Sequence, residues 1–189
     1  MTHIYYSIGI PLPPPLQKIL SQFACGIRNA HWHDPAFYHI SLHTLGTLDD
    51  ATVIDIVNAL KSIDYHSFFL TLQRPDLFPR DRQTSHLGIS LAPSVDLAKI
   101  KNLIQSLLNP FKIAQEKKSI QPYIPLAIVP HHSNGEIDRY IFERADWSYT
   151  PFFVKTLALF CVHETKKNIF CDTVQEFPLG NPESRCNSA

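Results

Sequence analysis

Apolar residues in this chain follow two periods that take turns along it, and this alternation limits the fold more than any single motif does. Ile4 to Ile10 alternates every second residue and is aromatic and β-branched, the pattern of a strand. Pro13-Pro14-Pro15 then opens a helix, because proline is tolerated in the first turn. Its stripe is Leu16, Ile19, Leu20, Phe23, Ala24 and Ile27, with Gly26 near its end. Tyr38 to Leu45 reads as a second strand, broken at Gly46. Asp49-Asp50 supplies the acidic start of a helix running to about Ile63, and Ser67 to Leu72 returns to strand.

The proline-rich, charged stretch Gln73 to Thr84 reads as a loop, and Ser85 to Leu91 as a strand. After Pro93-Ser94 a helix presents Leu97, Ile100, Leu103, Ile104 and Leu107 until Asn109-Pro110 stops it. Tyr123 to Val129 is a strand, His131 to Gly135 a polar loop, and Phe152 to Val162 with Ile169 to Val174 a closing hairpin. Helices interleaved with strands, ending in a run of pure strand, predict an α+β fold. Its sheets are mainly antiparallel, its helices lie outside, and two pseudo-repeated lobes flank a central cleft. The order of elements is similar before and after about residue 90, so residues 1–180 are expected to form one bilobal domain and 181–189 a flexible tail.

With 189 residues, 44% of them hydrophobic and only 18% charged, the chain has ample material for a core. Its 17 basic and 17 acidic residues cancel, which excludes a generic polyanion binder but leaves room for a local basic cleft. The N-terminus lacks a cationic leader, and no stretch approaches the roughly 18 apolar residues of a spanning helix. A cytoplasmic monomer without membrane contact is therefore expected. Cys25, Cys161, Cys171 and Cys186 are widely spaced and read as reduced thiols, although Cys161 and Cys171 could neighbour each other on one hairpin.

The segment His39-Ile40-Ser41-Leu42-His43-Thr44-Leu45-Gly46 carries the chemistry. On a strand, the period of two sets His39, Ser41 and His43 on one face. An imidazole that moves a proton near neutral pH, beside a hydroxyl that donates to a non-bridging oxygen, suits a phosphoryl group. The bland alternative is a strand-end histidine satisfied by backbone.

At these residues the sequence resembles the two-histidine phosphoesterases, which include the RNA 2′,3′-cyclic phosphodiesterases, also called 2′-5′ RNA ligases. That family's first signature is histidine, any residue, threonine or serine, leucine, two residues and Leu-Gly, and residues 39–46 fit it throughout. Tyr5 to Pro11 is similar to the opening strand, Phe69 to Leu72 and His86 to Ile89 to the middle strands, and Phe153 to Leu159 with Phe177-Pro178-Leu179 to the closing hairpin. The resemblance implies metal-free and cofactor-free chemistry on an RNA end or small nucleotide, with one histidine as base and another as acid.

The second signature departs from the pattern. In Pro122-Tyr123-Ile124-Pro125-Leu126, Tyr123 stands where the second histidine is expected and Pro125 where the second hydroxyl is expected. A positioned acid or base contributes ~10²–10⁴-fold, and an ordinary phenol of pKa ≈ 10 is a poor substitute at neutral pH. Pro125 also removes a backbone N–H, which implies an edge or bulged strand. His131 or His132 could replace the missing histidine only if the chain folds back after Pro130, since eight strand residues span roughly 26 Å. By the resemblance, His39, Ser41 and Tyr123 occupy the catalytic positions. His43, Arg80, Arg82, His86 and Pro125 are the expected substrate contacts, with Arg74 and Phe78 in the same charged stretch. His31-Trp32-His33 has the spacing of a strand metal pair but lacks the further ligands zinc needs. Two readings stand: a cyclic phosphodiesterase slowed by its altered second site, or an inactive relative that keeps the cleft as a nucleotide-, RNA- or protein-binding module.

Overall fold

A computed structural model describes residues 3–111, 113, 121–131, 135–165 and 169–180. In chain order the elements are β1 (His3–Pro11), α1 (Pro14–Leu20), β2 (His31–Trp32), β3 (His39–Gly46), α2 (Asp50–Leu60), β4 (Phe68–Leu70), β5 (Leu72–Pro79) and β6 (Thr84–Leu91). They continue with α3 (Val95–Leu108), β7 (Tyr123–Pro130), α4 (Glu136–Phe142), β8 (Phe152–Val154), β9 (Thr156–Glu164) and β10 (Ile169–Pro178). The fold is α+β, with one four-stranded sheet in the order β10-β9-β1-β3 and a second in the order β2-β7-β6-β5. A two-stranded ribbon pairs β4 with β8, and every pairing between these strands is antiparallel.

The internal repeat is real, but a lobe is not half of the sequence. β1-α1-β3-α2-β4-β5 is followed by β6-α3-β7-α4-β8-β9, so the repeat turns over near residue 83. Each repeat then gives its last strand to the other: β5 pairs with β6, and β9 pairs back with β1. Helix starts are set by side chains that satisfy otherwise orphaned N–H groups. Asp49 accepts from the Thr52 N–H at 2.8 Å and Ser94 from that of Leu97 at 3.2 Å. One continuous core joins both lobes, with Ile8, Ile40, Ile56 and Leu60 packed in the same cluster as Leu87, Ile100, Ile104 and Ile124.

Three sequence expectations are corrected. Gln73 to Thr84 is mostly strand: β5 lies at a sheet edge, where proline is tolerated, and its ladder slips between Leu72 and Pro75. The first helix stops at Leu20 and passes into a 3₁₀ turn at Ser21–Phe23, where Ser21 Oγ donates to Lys18 O. The short helix α4 has no counterpart in the sequence reading. It has only seven residues and a left-handed glycine, Gly135, at its start, and it is anchored by Tyr140 Oη donating to Phe23 O at 2.6 Å. Cys161 and Cys171 do lie on the β9–β10 hairpin, but Cys161 opposes Asp172 and Cys171 opposes Val162; both thiols are free. The expected tail at 181–189 lies outside the described residues, as do Cys186 and His132.

The repeat is tightest around two glycines. Gly9 on β1 faces Ser41 on β3, and Gly88 on β6 faces Pro125 on β7. At each place the ladder slips by one residue, passing over Leu42 in β3 and Leu126 in β7. A Cβ on Gly9 would sit 2.2 Å from Ile40 O, and one on Gly88 would sit 2.7 Å from Ile124 O. Only a residue without a side chain allows backbones to approach this closely. The Gly9→Ala variant is expected to lose about 3 kcal/mol of stability, read as a lowered urea midpoint, because backbone rather than a flexible side chain must move.

Candidate active site

A cavity of about 130 Å³ opens between the two sheets, lined by Tyr5 and Ser7 of β1, His39, Ser41 and Thr44 of β3, His86 of β6, and Tyr123 and Pro125 of β7. Both signature segments therefore face one space. His39 begins β3 and is 8% exposed. Its Nδ1 lies 2.9 Å from Phe37 O. A carbonyl can only accept, so Nδ1 carries the hydrogen and Nε2 keeps the lone pair. The ring packs at 4.6 Å on Phe160, and burial lowers its pKa despite the opposing pull of the Phe37 carbonyl. A neutral imidazole with a bare Nε2 is a proton acceptor.

Ser41 Oγ lies 2.9 Å from Ser7 Oγ, and Ser7 Oγ donates to His43 O at 3.2 Å. Ser7 is a site residue that the sequence reading misses. It lies two residues before Gly9 as His86 lies before Gly88, so Ser-Ile-Gly-Ile at 7–10 and His-Leu-Gly-Ile at 86–89 are the available signal. Thr44 is missed for a related reason. The slip at Leu42 reverses strand parity, so Thr44 lines the cavity, whereas His43 turns to the other face and its Nε2 meets Lys101 O of α3 at 3.0 Å. The expected shared face of His39, Ser41 and His43 holds for the first two alone.

The second half is built differently. Tyr123 lies flat over Gly88, whose absent Cβ would be 2.7 Å from the Tyr123 ring. Phe78 of β5 stacks on that ring at 3.9 Å and 3°. The hydroxyl so positioned meets His86 Nδ1 at 2.6 Å. Burial, with the Arg80 charge adding to it, lowers the His86 pKa to about 4. His33 stands edge-on to His86 at 6.2 Å, buried with neither nitrogen bonded, and burial takes its pKa to about 3. His31 is exposed while His33 is buried, so the two do not form a shared pair. Among the described residues no three His, Cys, Asp or Glu side chains gather in a metal-binding group.

Pro125 stands at the cavity wall beside the bulge, and β2 pairs with β7 at Ala127 and Ile128, with the His33 N–H donating to Leu126 O, so the missing N–H falls where the β6–β7 ladder is already interrupted. His131 does not fold back. Its N–H donates to Gln83 O and its Nε2 lies 3.1 Å from Ser85 Oγ, at the far end of β7. Arg80 and Arg82 are outside the cavity lining. Arg82 is exposed, and Arg80 is held by Asp81, Thr84 and, across the sheets, Glu164 of β9. Among the described residues no helix is long and apolar enough to cross a membrane.

Comparison with known proteins agrees with this geometry. The family model "LigT like Phosphoesterase" matches residues 10–86, which include the whole first signature. No curated protein matches the chain. Among solved structures, TT0787 of Thermus thermophilus superposes with a TM-score of 0.73 at 14% identity, covering 94% of this chain and 99% of that one. E. coli LigT complexed with 3′-AMP gives 0.70 at 17% identity, covering 95% and 99%. A structure described as a phosphoesterase gives 0.72 at 16% identity, again over 95% and 99%. Residues 10–86 are thus similar to the LigT-like phosphoesterase family, and the chain shares the fold of these solved structures, while its second-signature segment carries Tyr123 and Pro125.

His33, His39 and His86 all fold in the neutral state, which fixes the sign of a pH effect. Their ordinary pKa of 6.5 is lowered in the fold, so the unfolded chain binds protons that the folded chain refuses. Their contribution is complete above 6.5 and is lost as pH falls toward about 4, where His86 protonates, and further toward about 3 for His33. The urea midpoint is expected to drop between about pH 7 and about pH 5, and less steeply in His33→Phe.

Proposed function

We propose that this protein binds and hydrolyses a cyclic phosphodiester, the 2′,3′-cyclic end of an RNA or of a small nucleotide, using His39 as general base and no metal or cofactor. The observation that carries this reading is the pinned tautomer of His39, which presents a bare Nε2 at a cavity it shares with the Ser41–Ser7 hydroxyl pair. At about 130 Å³ that cavity is well below the roughly 300–1,000 Å³ of sites that enclose a whole small molecule. It fits the phosphodiester group itself, with the nucleoside extending outward. The crystal structure of E. coli LigT with 3′-AMP supports a nucleotide as the class of ligand.

In the reaction, water attacks phosphorus while His39 Nε2 takes its proton. Ser41 Oγ donates to a non-bridging oxygen as negative charge builds there. Ser7 can turn its single hydrogen toward Ser41, which leaves the Ser41 hydrogen for the substrate. The neutral state of the buried imidazole is the form a base requires at neutral pH.

A second reading, a binding module without turnover, is favoured by one specific observation: Tyr123 and Pro125 replace both groups of the second signature. The two readings separate in a hydrolysis assay on a 2′,3′-cyclic nucleotide at neutral pH with chelator present. Turnover by the wild-type protein that falls about 10²–10⁴-fold in His39→Ala, with the melting temperature preserved, is the expected result. Binding of the nucleotide without turnover would establish the module instead.

A further inference from the structure

We infer that Tyr123 and His86 together replace the missing second histidine: Tyr123 gives its hydroxyl proton to the departing sugar oxygen, and His86 holds the resulting phenolate through Nδ1–H. The inference rests on the phosphodiesterase reading above and assigns the residue that protonates the leaving group. Tyr123 starts β7 at the second-signature position and lines the same cavity as His39. Its ring is fixed from three sides. Gly88 lies beneath it, Phe78 stacks on it at 3.9 Å, and His86 Nδ1 meets its oxygen at 2.6 Å. A tyrosine that served only to fill the space of a lost imidazole would need no such partner.

The direction of the hydrogen bond follows from burial. His86 Nε2 is buried with no partner, and a bare lone pair left in that position costs less than an orphaned N–H. The hydrogen therefore sits on Nδ1, which donates to Tyr123 Oη. A neutral donor aimed at a phenol oxygen stabilises the phenolate more than the phenol, which makes the hydroxyl a better acid when the leaving oxygen needs a proton. His86 does not touch the reacting atoms in this scheme; it is a positioning residue for Tyr123. Burial, more than the nearby Arg80 guanidinium, which is itself paired with Asp81 and Glu164, keeps the His86 ring neutral.

Atoms balance as follows. Water oxygen forms a bond to phosphorus, and its proton goes to His39 Nε2. The bond from phosphorus to one ring oxygen breaks, its electron pair leaves with that oxygen, and the Tyr123 proton caps it as a hydroxyl. His39 then releases its proton to solvent and Tyr123 regains one, so one water is consumed per ring opened.

The test uses a 2′,3′-cyclic nucleotide and its two analogues in which one bridging oxygen is sulfur, since a thiolate departs without a proton. Tyr123→Phe and His86→Leu are expected to lower kcat on the oxygen substrate by about 100-fold while leaving the faster sulfur analogue little changed. His86→Asn, which keeps an N–H near the place of Nδ1, is expected to recover most of the loss. In a Tyr123→His background, His86→Leu should no longer matter, and this comparison stands even if Tyr123→Phe is unstable. His39→Ala should lose all substrates alike. Equal losses on oxygen and sulfur substrates for Tyr123→Phe and His86→Leu, with the His39 pattern intact, would overturn the inference alone. No turnover by the wild-type protein would overturn the phosphodiesterase reading together with it.

Discussion

Two glycines set where everything else in the cleft can be. At Gly9 and Gly88 a neighbouring strand carbonyl comes closer than any side chain would permit, and beside each one the ladder skips a leucine. The skip ends the regular alternation just after the second residue of each signature. His39 and Ser41 on one side, and Tyr123 and Pro125 on the other, are thereby left facing the cavity, with Thr44 continuing the lining on β3 while β7 beyond Pro125 is buried in the core. A regular strand would have carried His43 into the cleft instead of Thr44. The site thus depends on backbone contact more than on any side-chain interaction within it.

The same frame holds different chemistry in its two halves. In the first, the residue two before the glycine is Ser7, which supports the hydroxyl of Ser41. In the second it is His86, which supports the hydroxyl of Tyr123. Tyrosine is longer than histidine, and its ring must lie along the sheet to bring its oxygen to a partner. Gly88 makes that path available, and so one residue serves both the bulge and the reach of the phenol. Exchange of β5 and β9 between the repeats then ties the halves together, and the Arg80–Glu164 ion pair adds a link from the β5–β6 turn to the end of β9. The cleft is therefore held by strands crossing between lobes rather than by a hinge.

Much of this is legible in the sequence because it depends on local pattern. The strand periods, the two long helices with their Asp49 and Ser94 caps, the α+β class and the first signature are all short-range signals. What is not legible depends on partners far along the chain. β5 is hidden because Pro75 and Pro79 read as loop residues until an edge position makes them tolerable. His43 is misplaced because a bulge reverses parity and leaves no mark in the period of two. The lobes read as sequence halves because nothing local announces that β9 returns to β1. The pairing of His86 with Tyr123 spans 37 residues, and its only trace is the repeat of apolar-Gly-Ile after Ser7 and after His86.

In the proposed reaction His39 and Tyr123, from opposite lobes, act on one phosphoryl group. A crystal structure with a 2′- or 3′-nucleotide, the product of ring opening, tests it most directly. The phosphate is expected in the cavity between the sheets, with His39 Nε2 and Tyr123 Oη each within hydrogen-bond distance of its oxygens or of the freed sugar hydroxyl. A phosphate bound elsewhere, or one held by His39 with Tyr123 Oη out of reach of its oxygens and of the freed sugar hydroxyl, would contradict it.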